Sequence, residues 1–294
     1  MDPYAYHFDL REKPLRAGGS LDERLGYLGR ITADPEQTNP VTVIQLALGA
    51  LQLRDPDQLP LVVAVVGWLE RSADARGLLA YRFPMPHTFP LEAPWYSSLA
   101  QGEAASLLVR AAEILGRAEL LELADRLVAP LLQPESRLVV FTAEGPVLQE
   151  YPTDPPAHVL NGWVTSLFGL YDLAHPPSEL TAATQRAAAA FDAGTKALAA
   201  RLHLYRTPLG WSRYDLYPHP LPNTASVAYH RLHVAQLRAL NSLASHEAFA
   251  ATADDWERSL ANPAALAVGF VRKAAFRVVR PRSRAAPPPR PTPT

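Results

Sequence analysis

The chain has 294 residues, of which 48% are apolar and 19% charged, and it contains no cysteine. This length and apolar content allow one large or two ordinary folded domains, and the lack of thiols excludes disulfides, cysteine nucleophiles and cysteine-ligated metal centres. No run reaches the roughly 20 apolar residues of a membrane span, and residues 1–21 lack the apolar core of a secretory signal, so we expect a cytoplasmic protein with no membrane span.

The charge of the chain is unevenly distributed. The net charge is −1, yet residues from Ala261 onward carry seven basic side chains and no acidic one. Residues 281–294, PRSRAAPPPRPTPT, cannot bury enough apolar surface to order themselves and are predicted to form a disordered tail. A solvated basic tail is favoured over a role in nucleic-acid or membrane binding, so no nucleic-acid partner is expected.

Helices are predicted in four consecutive pairs, which start some 55 to 65 residues apart, a spacing typical of repeat architectures. Asn39 and Pro40 read as an N-cap and a first helical residue, so an N-terminal extension of residues 1–38 precedes the first pair. The predicted pairs are 39–53 with 61–73, 94–116 with 119–132, 159–173 with 178–203, and 224–243 with 247–260.

The two helices of each predicted pair differ in composition. The first is the more apolar, and its few polar residues are uncharged or histidine, whereas the second carries the charges. This division predicts an all-α protein in which an outer ring of amphipathic helices surrounds an inner ring. The sparse polar residues of the inner helices would then face a central lumen, namely Gln45, Ser97, Ser98, Gln101, Asn161, Thr165, His233 and Gln236. The alternative for Asn161 and Thr165 is that they satisfy each other or backbone groups in a core.

Three segments that precede inner helices read as β-hairpins, with β-branched and aromatic residues around a turn signal. They are GLLAYRFPMPHTF, SRLVVFTAEGPVLQEY and LYRTPLGWSRYDL, and each contains a tyrosine beside a charged residue: Tyr81 by Arg82, Tyr151 by Glu150, and Tyr214 by Arg213. In a ring of helices, all three hairpins would lie at one rim. Polar and aromatic groups converging on a concave site predict a ligand-binding site there.

Four motifs, in this order and spacing, resemble the C-terminal domain of the D-glucuronyl C5-epimerase family. They are WYSSLAQGEAASLLVRA, EYPTDPPAHVLNGWVTSLFGLYDL, RYDL and NTASVAYHRLHVAQL, and the second is the most specific. The resemblance covers roughly residues 39–260. It implies an incomplete (α/α) toroid and an enzyme that inverts C5 of glucuronic acid in an anionic polysaccharide, giving iduronic acid. By the same resemblance, the catalytic residues are Glu150, Tyr151, Tyr214 and Tyr229.

The reaction itself calls for residues such as tyrosine. The C5 proton lies beside a carboxylate, so the site needs a base on one face, an acid on the other and neutralisation of the carboxylate. Tyrosine, with a pKa near 10, is a strong base when ionised and a competent acid when neutral. The candidate substrate-binding residues are Arg82, Gln101, Asn161, Arg213, Asn223, Arg231 and His233.

Other kinds of site are less well supported by the sequence. His230 and His233 are spaced as two metal ligands would be, but no third ligand has a supporting spacing, so neither a metal nor a cofactor is expected. A uronate lyase, which begins with the same proton abstraction, and a non-catalytic glycan-binding protein remain alternatives. Family members of the animal type also carry β-rich N-terminal domains that help to form the cleft, and only about 38 residues precede the first predicted helix here.

The basic segment 261–280 is predicted to form an amphipathic helix. Val268, Val271, Ala275 and Val278 recur at helical spacing and form its apolar stripe, and Phe270 and Phe276 lie outside that stripe. The helix is expected to pack on the toroid. A homodimer interface and steering of an anionic glycan are the alternatives that remain open.

Overall fold

A computed structural model describes residues 9–85, 88–89, 91–177 and 181–281 of the chain. The described part consists mainly of α-helices with one small antiparallel sheet. The elements are α1 (Glu12–Ala17), α2 (Leu21–Thr32), α3 (Pro40–Gln52), α4 (Leu59–Ser72), α5 (Ser98–Leu115), α6 (Leu120–Val128), β1 (Val139–Thr142), β2 (Gly145–Leu148), α7 (Leu160–Ala174), α8 (Thr181–Arg201), α9 (Val227–Leu243), α10 (Glu247–Leu260) and α11 (Pro263–Val279).

The helices pack as two concentric arcs, which confirms the predicted toroid. Helix α3 packs on α5, α5 on α7 and α7 on α9, and each of these inner helices also packs on the outer helix that follows it in the chain. The inner helices α5 and α7 are buried on nearly all sides. The more charged helices α6, α8 and α10 lie outside, because their charges remain in water there.

Helices α5 and α7 approach each other unusually closely, because glycines face each other at the contact. A Cβ atom on Gly169 would lie 2.3 Å from the carbonyl oxygen of Gly102. Near the other end of the contact, the hydroxyl of Ser166 donates to Oγ of Ser98 at 2.9 Å. Small residues therefore set the spacing of the two central inner helices, from which the loops of the site emerge.

Local sequence signals account for several helix ends. Asn39 caps α3 as predicted, since its side chain accepts a hydrogen bond from the amide of Thr42 at 3.3 Å. Ser226 caps α9 in the same way through the amide of Tyr229. Ser20 and Glu23 form a capping box at the start of α2, a helix that the sequence analysis did not predict within the N-terminal extension.

The described part of the N-terminal extension, residues 9–38, is folded against the first inner helix. Leu10 is buried, and its amide donates to Oε1 of Gln52 at 2.6 Å. Its carbonyl passes so close to α3 that a Cβ atom on Gly49 would lie 2.3 Å from the Leu10 oxygen. The buried guanidinium of Arg24 donates to the carbonyl oxygens of Pro14 and Gly18 at 3.1 and 2.9 Å. Helix α1 is therefore fixed at the α3 end of the inner arc.

Only one of the three predicted hairpins has a ladder within the described residues. It is β1–β2, in which Val139 pairs with Leu148 and Thr142 with Gly145. The other two segments form isolated bridges among the described residues, Tyr81 with Trp95, Arg206 with Ser212, and Arg213 with Thr224. Trp95 and Thr224 lie beyond the predicted hairpins, so two of these bridges pair a segment with residues outside it.

Helix α11 packs on α9 and α10 at the other end of the arc. The stripe predicted for it is wrong: Val271 and Val278 are 63% and 82% exposed, whereas Phe276, which that stripe excluded, is fully buried against the toroid. The buried positions of the helix are Ala265, Gly269 and Phe276. Gly269 packs on the ring of Trp211, and the ring of Phe276 lies 5.0 Å from that of His219, so the segment before α9 determines which face is buried. The predicted disordered tail, apart from residue 281, lies outside the described residues.

No helix in the described part of the chain is long and apolar enough to cross a membrane.

The glycine contact between α5 and α7 predicts a strong effect of a single methyl group. Gly169→Ala would force the two helices apart, and overpacking of this kind typically costs about 1–3 kcal/mol of unfolding free energy. The matched control is Gly29→Ala on α2, where a Cβ atom meets nothing within 4 Å and alanine should stabilise the helix by up to about 1 kcal/mol. Urea unfolding midpoints of the two variants measure the difference, and equal midpoints would contradict the proposed packing constraint.

Candidate active site

A cavity of about 530 Å³ opens at the ends of the inner helices where the connecting segments meet. Its volume is in the range of ordinary small-ligand sites. Every inner helix contributes to the lining, and so do the segment around α1 and the loop that carries Glu150. The lining includes charged, polar and aromatic side chains, among them Lys13, Gln45, Tyr81, Trp95, Glu103, Glu150, Tyr151, Asn161, Thr165 and Tyr229.

Glu150 lies directly after the hairpin and is 7% exposed. Asn161, in the first turn of α7, donates from Nδ2 to Oε2 of Glu150 at 3.3 Å. Burial raises the pKa of Glu150 to about 7, and hydrogen bonds from Tyr151 and Asn161 oppose that rise. Glu150 therefore changes between the acid and the carboxylate near neutral pH, which suits a group that exchanges protons.

His158 fixes the loop that follows Glu150 through hydrogen bonds of its backbone and its ring. Its amide donates to Oε1 of Gln149 at 3.2 Å, and its Nδ1 lies 2.9 Å from Nε2 of the same residue. Tyr205 donates to the His158 carbonyl at 2.7 Å. Burial lowers the pKa of His158 to about 4, so the ring is neutral and its Nδ1 can accept the amide hydrogen. His158 thus positions the Glu150 loop from outside the cavity.

Tyr151 packs in an aromatic cluster at the cavity wall. Its ring centroid lies 4.9 Å from that of Phe89 and 5.8 Å from that of Trp95, and Trp95 stacks on Tyr81 at 3.9 Å. Burial, followed by the negative charge of Glu150, raises the pKa of Tyr151 well above its usual value. The phenol of Tyr151 is therefore neutral at rest, and its hydroxyl is hydrogen-bonded to Glu150.

Tyr214 and Tyr229 form an edge-to-face pair with ring centroids 4.8 Å apart. Tyr229 lines the cavity from the first turn of α9 and is 38% exposed. Tyr214 lies behind it rather than on the lining, held by backbone hydrogen bonds to Leu160 and Asn223. Burial raises the pKa of Tyr214 well above 10, with further contributions from Glu150, Tyr151 and Tyr229. The ionisation of Tyr214 is therefore sensitive to the charges of Glu150, Tyr151 and Tyr229.

Among the predicted lumen residues, Asn161 and Thr165 line the cavity and Gln101 does not. Gln101 is fully buried behind the lining, where its Oε1 accepts from the Leu79 amide at 3.0 Å and its Nε2 donates to the Gly77 and Leu127 carbonyls at 2.5 and 2.7 Å. Its amide is committed to backbone groups, so its assignment to substrate binding is corrected to a structural role.

The three candidate arginines do not reach the cavity. Arg82 and Arg231 are exposed, Arg213 is half-buried, and none of them belongs to the cavity lining. Arg213 and Tyr214 are sequence neighbours on an extended segment, and such neighbours point to opposite sides. A substrate carboxylate inside the cavity would therefore have to be met by other residues.

His233 and Asn223 belong to a buried network beside the cavity, so they do not contact it as predicted. Nδ1 of His233 lies 2.9 Å from the hydroxyl of Ser212, and burial lowers the pKa of His233 to about 3. Asn223 donates to Asp215 at 2.5 Å and accepts from Nζ of Lys273 at 2.8 Å. This network joins α11 to the segment that carries Tyr214, and Nζ of Lys273 lies 5.7 Å from the Tyr214 ring centroid.

Three charged residues on the cavity lining were missed in the sequence analysis, namely Asp9, Lys13 and Glu103. Glu103 has a recognisable signal, because it is a lone acid in the otherwise apolar stretch SLAQGEAASLLV and would have to be buried in an inner helix. Lys13 has no signal, since a lysine in a polar N-terminal segment ordinarily faces solvent.

Among the described residues, no group of three His, Asp or Glu side chains is arranged to hold a metal ion.

Known proteins resemble this chain over the part that builds the site. A family sequence model described as the D-glucuronyl C5-epimerase C-terminus matches residues 73–258. A D-glucuronyl C5-epimerase of Caenorhabditis elegans is 30% identical over 217 residues, which is 66% of this chain and 34% of that protein. The matched region is thus about a third of the length of this relative.

A solved structure shares the fold. It is described as a possible member of the GH105 family from Salmonella enterica serovar Paratyphi A, and it aligns with a TM-score of 0.51 at 16% identity. The alignment covers 85% of this chain and 67% of that one. The likeness supports the toroid architecture alone. The extent of the family match, together with its catalytic-domain motifs in order along the chain, shows that the protein belongs to the D-glucuronyl C5-epimerase family.

Proposed function

We propose that this protein is a uronyl C5-epimerase that acts on glucuronate residues of an anionic polysaccharide. The observation that carries the proposal is that Glu150, Tyr151 and Tyr229 line a single cavity formed by the inner helices. Membership of the epimerase family supports the same reaction class.

The reaction inverts C5 by removing its proton from one face of the sugar and returning a proton to the other. When the C5–H bond breaks, its electron pair spreads onto the adjoining carboxylate, which gains a second negative charge. The site must accept the first proton, supply the second and stabilise the extra charge in between.

Tyr151 and Glu150 form the proton-accepting unit. Tyr151 takes the C5 proton as its own phenol proton passes along the existing hydrogen bond to ionised Glu150. This coupling matters because burial makes an isolated phenolate at Tyr151 costly, whereas Glu150, with its pKa raised to about 7, readily holds the proton.

Tyr229 is the proton donor on the opposite face. Its hydroxyl transfers a proton to C5, the C5–H bond re-forms, and the negative charge moves from the substrate to the phenol. Tyr214 packs edge to face on Tyr229, and the ammonium of Lys273 lies 5.7 Å from the Tyr214 ring centroid. A positive charge therefore lies beside this pair of phenols. Exchange with water then resets both units.

The reaction class is tested by incubating the protein with a panel of glucuronate-containing oligosaccharides in deuterated water. An epimerase incorporates deuterium at C5 without cleaving the chain, and NMR and mass spectrometry detect it. Unsaturated, shortened products would instead identify a lyase. Tight binding without either change would identify a glycan-binding protein.

The tyrosine assignments predict that the hydroxyls matter more than the rings. Tyr151→Phe and Tyr229→Phe keep most of the packing but remove a proton-transfer group, so kcat should fall roughly a hundredfold or more. Tyr27→Phe on α2, remote from the cavity, is the matched control and should keep wild-type activity. Circular dichroism checks folding, and a fully active Tyr151→Phe enzyme would refute the assignment of Tyr151.

The protonation state of Glu150 predicts how kcat/KM depends on pH on the acidic side of the profile. The unit accepts a proton only when Glu150 is ionised, so kcat/KM should rise as the pH increases through about 7, the value to which burial raises the pKa of Glu150. Glu150→Gln should lose most activity and this rising limb. A rising limb that persists in the variant would show that another group controls it.

A further inference from the structure

Glu103 is a buried acid in the wall of the cavity, and one of its carboxyl oxygens makes no hydrogen bond among the described residues. It lies in the middle of α5 and is fully buried. Its Oε1 accepts a hydrogen bond from Nε2 of Gln45 on α3 at 2.9 Å, whereas Oε2 has no partner among the described residues. An unpaired polar atom at such depth is costly unless a ligand or water satisfies it, so Oε2 marks a position where a polar ligand group is expected.

The protonation state of Glu103 decides what this oxygen offers. Burial raises the pKa of Glu103 to about 8, and the neighbouring carboxyl of Glu150 raises it too, so the side chain is mostly neutral at pH 7. Because Oε1 accepts from Gln45, the proton of the neutral acid belongs on Oε2. The cavity wall therefore presents an O–H donor.

Lys13 supplies a positive charge to the same cavity. It lies on α1, which is held to α3 by the contact of Leu10 with Gln52 and by the close approach at Gly49. Its charge acts on Glu103 and favours ionisation of that acid, which shows that the two side chains share one electrostatic environment. The lysine is exposed to solvent at this end of the cavity.

We propose that Glu103 and Lys13 together bind the carboxylate of the glucuronate residue, Glu103 by donating a hydrogen bond from Oε2 and Lys13 by ion pairing. This inference rests on the proposed function, which requires groups that neutralise the substrate carboxylate, and it assigns that role to Glu103 and Lys13. The candidate arginines lie outside the cavity lining, so they do not compete for this role.

A neutral acid is well suited to the chemistry of this step. As the C5 proton leaves, the electron pair of the C5–H bond enters the carboxylate, and a hydrogen bond to that group strengthens in proportion to its charge. Glu103 keeps its proton throughout, and Lys13 keeps its charge. An ionised Glu103 would instead repel the substrate, which explains the use of burial to hold the acid neutral.

The pH dependence follows from the groups that face Glu103. They are Lys13 from α1, and Glu150 and Tyr81 from the connecting segments, with uncharged Gln45 on α3. Asp9 also lines the cavity, and its carboxylate is paired with the guanidinium of Arg11. As the pH rises through about 8, Glu103 loses its proton and the donor becomes a negative charge. We therefore expect kcat/KM to fall through that range.

Two substitutions of Glu103 distinguish a neutral side chain that donates a hydrogen bond from an ionised side chain that acts as a base. Glu103→Gln keeps a hydrogen-bond donor in the same place, so kcat should fall only several-fold and the decline near pH 8 should disappear. Glu103→Met removes the donor, and kcat should fall roughly a hundredfold. Glu113→Gln, at an exposed position on the same helix, is the matched control. If Glu103→Gln is as inactive as Glu103→Met, Glu103 acts as an ionised base and the proposal is wrong.

Lys13 is tested through binding as well as rate. Lys13→Met should raise KM about tenfold, with a smaller effect on kcat, and Lys13→Arg should restore most of the loss, since the charge is retained. Arg16→Gln on the same helix, where Arg16 pairs with Glu12, is the control and should behave as wild type. Unchanged KM in Lys13→Met would overturn the role of Lys13.

Calorimetry with a second ligand distinguishes this inference from the proposed function. The probe is the oligosaccharide of the panel that binds wild type most tightly, compared with its carboxyl-reduced form, in which each glucuronate has become glucose. Wild type should bind the carboxylate form at least tenfold more tightly, and Lys13→Met and Glu103→Met should lose that preference. This result would support the carboxylate site even if no deuterium entered C5. Equal binding of both forms by wild type would overturn it, whatever the activity.

Discussion

The site depends on the burial of two carboxyl groups, Glu103 and Glu150, in one cavity inside a ring of apolar helices. Removing a carboxylate from water is so costly that such a group either finds a cation or takes up a proton. Burial raises the pKa of Glu103 to about 8 and that of Glu150 to about 7. The fold therefore places an acid that is mostly neutral and an acid that is poised to ionise within the same small volume, and two different chemical roles become available.

Secondary structure and helix order were largely predictable, because the signals are local. Asn39, Pro40 and the apolar period define α3, and the contrast between apolar and charged helices separates the inner arc from the outer one. The predicted hairpins were only partly correct, since pairing of strands depends on partners that a short segment does not contain. The buried face of α11 was misassigned for a similar reason, because its partners, Trp211 beneath Gly269 and His219 beside Phe276, lie elsewhere in the chain.

The catalytic candidates and the binding candidates differed in how predictable they were. Four catalytic candidates were found through motif resemblance. Glu150, Tyr151 and Tyr229 line the cavity, whereas Tyr214 lies behind Tyr229. The proposed cations were chosen because they are near tyrosines in sequence, and sequence neighbours on an extended segment point apart. Lys13 and Glu103 are 90 positions apart in the chain, and only the packing of α1 on α3 and of α3 on α5 brings them to one wall.

The cavity is assembled from two parts of the chain, one within the region that the family model matches and one before it. Glu103, Glu150, Tyr151 and Tyr229 lie within residues 73–258, which match the family, whereas Lys13 and Gln45 come before that region. The contacts of Gln45 with Glu103 and of Leu10 with Gln52 join the two parts. The proposed proton-transfer groups and Glu103 thus lie in the matched region, and Lys13 and Gln45 are added to the same cavity from the N-terminal side. Under the proposed function, changes in the N-terminal segment would alter how the substrate carboxylate is bound and would leave the proton-transfer groups in place.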